Sequence, residues 1–256
     1  MKKKTAEKFI ALLDIMKKLR EKCPWDKMQT PESLRKYIIE ETYEVVETID
    51  QKKWSALCEE LGDLLLQIVF QSVIAEEKSR FDISDVLTNI NQKLIKRHPH
   101  VFDAKRVISA KEVENNWENI KANSEKRDSL LSGIPMFAPA LLSAQRLQEK
   151  ASRVGFDWPD IDGVIQKFHE EFYELKEAID KKNKKKIFEE MGDLLFTLVN
   201  LARFLDITAE DALRLVNEKF RTRFRYIEKH YDYDFQKIKS ASLEELDSLW
   251  EESKGE

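Results

Sequence analysis

Glu40-Glu41-Thr42-Tyr43-Glu44, followed by Glu59-Glu60-Leu61-Gly62-Asp63-Leu64-Leu65, is the stretch on which the reading of this chain turns. Both blocks return 130 residues later, as Glu170-Glu171-Phe172-Tyr173-Glu174 and Glu189-Glu190-Met191-Gly192-Asp193-Leu194-Leu195. Seven motif positions repeating at one offset mark an internal duplication, and the duplicated object is a set of carboxylates. The repeat extends further. Asn91, Lys93 and Arg97 match Asn217, Lys219 and Arg223 at an offset of 126, which implies a four-residue deletion in the second copy, in the stretch matching 75–85. Trp117 and Lys121 are a looser echo of Trp250 and Lys254.

The surroundings of these motifs read as helix. The chain has only 6 Gly and 6 Pro, and between Pro31 and Pro99 the single breaker is Gly62. Between Gly163 and Gly255 it is Gly192 alone. Stretches so free of breakers and rich in Leu, Glu, Lys and Ile favour helix hairpins. Helices are expected over about 7–21, 31–50, 53–77 and 83–97 in the first unit, with Cys23-Pro24-Trp25-Asp26 as a turn. Those of the second unit run over about 163–180, 184–205 and 209–230, after Gly155-Phe156-Asp157-Trp158-Pro159. The expected fold is all-α: tandem duplicated helical-bundle domains over 1–103 and 136–256, with a helical linker over 104–135. The polar stretch 109–128 is compatible with helix, and Ser132-Gly133-Ile134-Pro135 is a boundary.

Composition narrows the function. Charged residues make up 36% and the hydrophobic set 42%, a soluble globular balance with enough chain for a core. A net charge of −4 argues against direct nucleic-acid binding. Cys23 and Cys58 form no disulfide framework or zinc pattern. No apolar run is long enough to span a membrane. The amphipathic start after Met1 makes a poor signal peptide, so a cytoplasmic protein is expected.

The register of the acids points to chemistry. At 100° per residue, Leu34, Tyr37, Ile38, Val45 and Ile49 form one stripe, with Glu41 in its middle and Glu44 at its edge. A solvated glutamate belongs opposite, where Glu40 and Glu47 fall. On the next helix Leu57, Leu61, Leu64, Leu65, Leu66, Ile68, Val69 and Phe70 leave only Glu60, Asp63 and Gln67 as a polar strip, which predicts a buried helix with inward-facing acids. Mid-helix Gly62 and Gly192 suggest close helix approach there. Each pair of converging carboxylates repels by roughly 3 kcal/mol at ~6 Å and an effective dielectric of ~20. A divalent cation relieves that repulsion, and all-oxygen ligands select Mg2+ or Mn2+. A di-iron bundle site would need Glu-x-x-His, which the chain lacks. Lone helix-surface glutamates are the ordinary alternative; duplication on an apolar face disfavours it.

These acidic blocks, with Cys23-Pro24-Trp25-Asp26 and Arg97-His98-Pro99-His100-Val101-Phe102, resemble the MazG family of nucleoside triphosphate pyrophosphohydrolases along nearly the whole chain. The resemblance implies an all-α, Mg2+-dependent enzyme, forming intertwined homodimers, that cleaves NTPs and dNTPs of any base to the monophosphate and pyrophosphate in nucleotide-pool control or housecleaning. It assigns catalysis and metal ligation to Glu171, Glu174, Glu190 and Asp193, with Glu41, Glu44, Glu60 and Asp63 as the matching set. Substrate contacts implied by it are Lys167, Phe168, His169, Glu170 and Glu171, then Lys186, Ile187, Phe188, Glu189 and Asp193. Lys219, Phe220, Arg221, Thr222, Arg223 and Trp250 complete that group.

The two copies differ. Lys186 precedes Glu190 by one turn, whereas Ala56 precedes Glu60, which favours the second domain as the active one. The first keeps its acids with Lys93 and Arg97. Other features read more plainly. His98-Pro99-His100 is a terminal turn rather than a ligand pair, Trp25 and Trp158 are core or entry-turn anchors, and the Lys181–Lys185 run is a solvated loop. Rival functions are a narrower enzyme for noncanonical nucleotides and a non-catalytic nucleotide-binding helical scaffold or regulator.

Overall fold

The two duplicated hairpins form the centre of two compact units, Met1–Glu125 and Lys126–Glu256, in a computed structural model. The structure describes residues 2–102, 109, 129–136 and 138–255, and among these there are helices and loops but no strand. Of the helical linker expected over 104–135, residues 104–108 and 110–128, with Trp117 and Lys121 among them, lie outside the described residues.

The first unit contains α1 (Lys2–Lys22), α2 (Pro24–Met28), α3 (Pro31–Asp50), α4 (Trp54–Glu77), α5 (Ile83–Arg97) and α6 (Pro99–Phe102). Helix α3 starts where the sequence asks it to. The Thr30 hydroxyl accepts from the Ser33 amide while the Ser33 hydroxyl accepts from the Thr30 amide, and Pro31 follows at the first helical position. A short connection returns the chain into α4, with Lys52 held in the left-handed region at φ 54°. Met16, Leu34, Val69, Phe70, Val73 and Ile74 form the buried cluster between α1, α3 and α4.

The second unit contains α7 (Ala140–Ser152), α8 (Ile161–Asp180), α9 (Lys184–Phe204), α10 (Ala209–His230), α11 (Phe235–Ser240) and α12 (Leu243–Glu252). The packing is duplicated along with the sequence. Helix α4 contacts α1, α3 and α5, and α9 contacts α7, α8 and α10 in the same order. The α8–α9 connection repeats the left-handed lysine, Lys182 at φ 50°. Val164, Leu175, Ala178, Val199, Ile227 and Leu249 are buried here.

Several expectations are corrected. Cys23-Pro24-Trp25-Asp26 is no simple turn: Pro24 starts the short helix α2, since its missing N–H costs nothing at a helix start. Four further helices, α6, α7, α11 and α12, were not assigned from sequence, although Ser242 and Glu245 make a reciprocal cap at α12. Helix α4 is not buried all round, because within the chain Leu61, Leu65 and Ile68 remain exposed. Ile49 is also exposed, and buried Thr48 takes its place on the α3 stripe. Gly62 and Gly192 mark no close approach inside the chain, for a Cβ added at either meets nothing within 4 Å. Trp25, on α2, and Trp158, just before α8, are nearly half exposed rather than core. At the end of α5, His98 is the cap and its ring bonds the Leu94 carbonyl at 2.7 Å, while Pro99 and His100 already belong to the short helix α6 rather than to a terminal turn.

Candidate metal centre

Helices α8 and α9 carry the acids of the second unit, and their caps fix where those acids fall. The Asp160 carboxylate accepts from the amides of Asp162 (3.1 Å) and Gly163 (3.2 Å), starting α8. The Asn183 side chain accepts from the Lys186 amide (3.2 Å), starting α9. From these starts, Glu171 and Glu174 share a face of α8 and Glu190 meets them from α9. Their carboxylate oxygens lie within 4.8 Å of one another. Glu171 and Glu190 are only 5% and 4% exposed, while Glu174 sits at the solvent edge.

Two lysines, each one turn ahead of an acid, lie over this trio. The Lys167 ammonium reaches Glu171 at 2.7 Å and Glu170 at 2.8 Å, and the Lys186 ammonium donates to Glu190 at 2.7 Å. The bond from Lys186 holds the Glu190 carboxyl below the usual carboxylate range. Glu174 is pushed the other way, first by the charge of Glu190 and then by burial. Lys167 is raised by its bonds to Glu170 and Glu171, and Lys186 by its bond to Glu190.

The first unit builds a related site with a different balance. Glu41, Glu60 and Asp63 bring carboxylate oxygens within 4.8 Å of one another, and Glu44 interacts with Glu41 and Glu60. Glu41 is raised by burial and then by repulsion from Glu44 and Asp63. Glu60 is raised by burial and then by Glu44 and Asp63. The positions matching Lys167 and Lys186 are Tyr37 and Ala56, so neither ammonium is available to these acids. The Lys186–Ala56 difference is legible in the sequence. The role of Lys167 as a counter-ion was missed, although its spacing of four from Glu171 is the same helical signal.

The remaining candidate residues fall into three places. Asp193 is exposed and, unlike Asp63, does not belong to the clustered trio. Phe168 and His169 make an edge contact at 5.6 Å on α8, beside Glu170. On α9, Ile187 is half-buried, Phe188 is exposed, and Glu189 pairs loosely with Lys185 at 3.7 Å. The last group forms where α10 meets α12. Phe220 stacks on Phe224 (6.0 Å) and tilts against Trp250 (5.1 Å), and the Arg223 guanidinium lies 5.5 Å from the Trp250 ring centre. Arg221 pairs with Glu218, and Lys219 and Thr222 are exposed on the same helix.

The donor set suits a hard divalent cation: it is all carboxylate, clustered, and partly withdrawn from water. A duplicated helical unit whose central hairpin gathers such acids is an all-α protein able to hold metal ions. The comparisons give the family. The MazG nucleotide pyrophosphohydrolase domain profile matches residues 29–102 and 161–227. A nucleoside triphosphate pyrophosphohydrolase/pyrophosphatase MazG from Thermotoga maritima is 47% identical over 251 residues, covering 96% of each chain. The nucleoside triphosphate pyrophosphohydrolase of Escherichia coli K12 is 42% identical over 253 residues, covering 95% of each. The crystal structure of a mazG-related protein from Thermotoga maritima aligns at 28% identity and a TM-score of 0.39, over 43% of this chain and 96% of that one. The chain belongs to the MazG family.

Proposed function

We propose that this protein hydrolyses nucleoside triphosphates, ribo- and deoxyribo- alike, to the monophosphate and pyrophosphate, using Mg2+ with Mn2+ as a substitute. The observation that carries this reading is the trio of buried Glu171 and Glu190 with solvent-edge Glu174, and two lysines over it. Acids of this kind hold a cation and the lysines meet an anion, and a metal–triphosphate complex presents both. When bound, the cation neutralises phosphate oxygens and lowers the pKa of a coordinated water.

The chain supplies the rest. Glu171, Glu174 and Glu190 would hold the metal, with Asp193 close by along α9. Lys167 and Lys186 offer positive charge to the phosphates. Phe220, Arg223 and Trp250 form a stacked group that would accept any base through its π-face, consistent with broad specificity. Exposed Leu195 and Leu198 on α9, like Leu61 and Leu65 on α4, support assembly as a homodimer. No helix among the described residues is long and apolar enough to cross a membrane, and a cytoplasmic role in nucleotide-pool control or housecleaning fits the reading.

Pyrophosphate release from the eight common NTPs and dNTPs tests this directly. Glu174→Gln should lower turnover by on the order of 10²-fold or more, as for loss of a preorganised charge at a reacting centre. Glu44→Gln should leave most of the activity. Binding of nucleotide without any release by the unaltered protein would instead favour a regulatory scaffold.

A further inference from the structure

Each half of the molecule brings three carboxylates together, yet among the described residues only the second covers them with lysines. The α3–α4 hairpin clusters Glu41, Glu60 and Asp63 with Tyr37 and Ala56 where the second copy has Lys167 and Lys186. The fold therefore does not need the two ammonium groups to bring the helices into register. Their position indicates another use. Glu171 and Glu190 have side chains only 7% and 5% exposed, whereas those of Lys167 and Lys186 are 35% and 58% exposed. The buried carboxylates are thus capped from the solvent side by cations on flexible four-carbon stems, each able to swing to another acceptor.

We propose that Lys167 and Lys186 are placeholder cations: without substrate they occupy Glu171 and Glu190, and they transfer to the phosphates when metal and triphosphate bind together. This rests on the triphosphate reading of the site. Two consequences follow from the exchange. A metal arriving alone must displace both lysines without giving them a new partner, and Lys167 keeps only the exposed Glu170, so its affinity is low. A triphosphate supplies that partner, so metal and nucleotide each tighten the binding of the other, as linkage requires. The site would then load only as a metal–nucleotide pair.

Mn2+ binding, followed by electron paramagnetic resonance on the full chain, tests the exchange without relying on turnover. Glu41→Gln with Glu60→Gln forms the parent, so that the signal reports the second unit. In the absence of nucleotide, Lys167→Met with Lys186→Met should bind Mn2+ roughly tenfold tighter than the parent, equivalent to about 1.4 kcal/mol. Lys167→Arg with Lys186→Arg keeps both charges and should behave as the parent does. A non-hydrolysable α,β-methylene nucleoside triphosphate should tighten Mn2+ at least about tenfold in the parent, and this coupling should shrink in the methionine variant to what direct metal–phosphate contact gives. Circular dichroism checks folding, and the single methionine variants carry the test if the double one unfolds. Unchanged or weaker Mn2+ binding in a folded methionine variant, or coupling there as large as in the parent, overturns the proposal while leaving the triphosphate reading intact. Failure of the parent to bind the analogue with or without Mn2+ overturns that reading itself, and the transfer with it.

Discussion

A Cβ at residue 163 would lie 2.7 Å from Cε3 of Trp158, closer than a rigid indole can tolerate. Gly163→Ala should therefore displace the ring that packs on the start of α8 and cost about 1–3 kcal/mol, read as a lowered Tm. Gly62→Ala meets open space and should stabilise the chain by about 0.5–1 kcal/mol in the same assay, by removing glycine's entropy cost. The acids make a second prediction at this scale. Glu41, Glu60 and Glu174 have raised folded values, so they favour the folded state below the ordinary glutamate range. That contribution is lost as pH rises through their raised values. Glu190 is lowered, so its contribution is present above the ordinary range and is lost as pH falls through its folded value. Carboxyl carbon NMR titration without divalent cations should show these opposite displacements, and Lys186→Met should move Glu190 upward. The sequence revealed which acids are out of place on an apolar face. It did not reveal that Glu174 and Glu190 are displaced in opposite directions, because that depends on how close Glu190 comes to Glu174 and on Lys186 reaching Glu190.

Among the elements, α2 shows how much one side chain can organise. The Arg20 guanidinium donates to the carbonyls of Asp26 and Gln29 and makes a two-pronged contact with Glu77, at 2.7 Å from Nε and 2.5 Å from a terminal nitrogen. It also lies 5.8 Å from the Phe70 ring centre. One mostly buried arginine thereby joins α1, α2 and α4 just ahead of the acid-bearing helix α3. Arg20→Ala should cost about 1–3 kcal/mol in urea denaturation, the scale of a charged hydrogen-bonding group removed from a partly buried site. Arg20→Lys should recover little of it, since an ammonium cannot reproduce the planar fork. Arg203 and Asp157 make a comparable two-pronged pair in the second unit, at 3.0 and 2.5 Å. The long helices were legible because breakers, caps and apolar periodicity agree over many residues. The short ones were not: α2 spans 5 residues and α11 spans 6, too few for a periodicity to show.

For the whole molecule, duplication is the governing fact, and the exposed apolar faces of the two central hairpins are its unresolved part. Leu61, Leu65 and Ile68 on α4, with Leu195 and Leu198 on α9, carry apolar surface that the chain itself does not cover. Light scattering should give a mass twice that of the chain, and Leu195→Glu with Leu198→Glu should shift it toward the monomer. The amino-acid order alone determined the all-α class, the two copies and the four acids of each, since helix periodicity and repetition are local properties written along the chain. It also determined that Lys186 has no counterpart at Ala56. Only the tertiary structure decided which three acids of each four converge, that α4 is covered on one side only, and that Gly62 and Gly192 face open space. It likewise placed the ammonium groups of Lys167 and Lys186 against buried carboxylates at the solvent edge. These outcomes depend on how two helices approach and which side chains fill the space between them, and helical periodicity fixes a residue's direction from its own axis without fixing what it meets there.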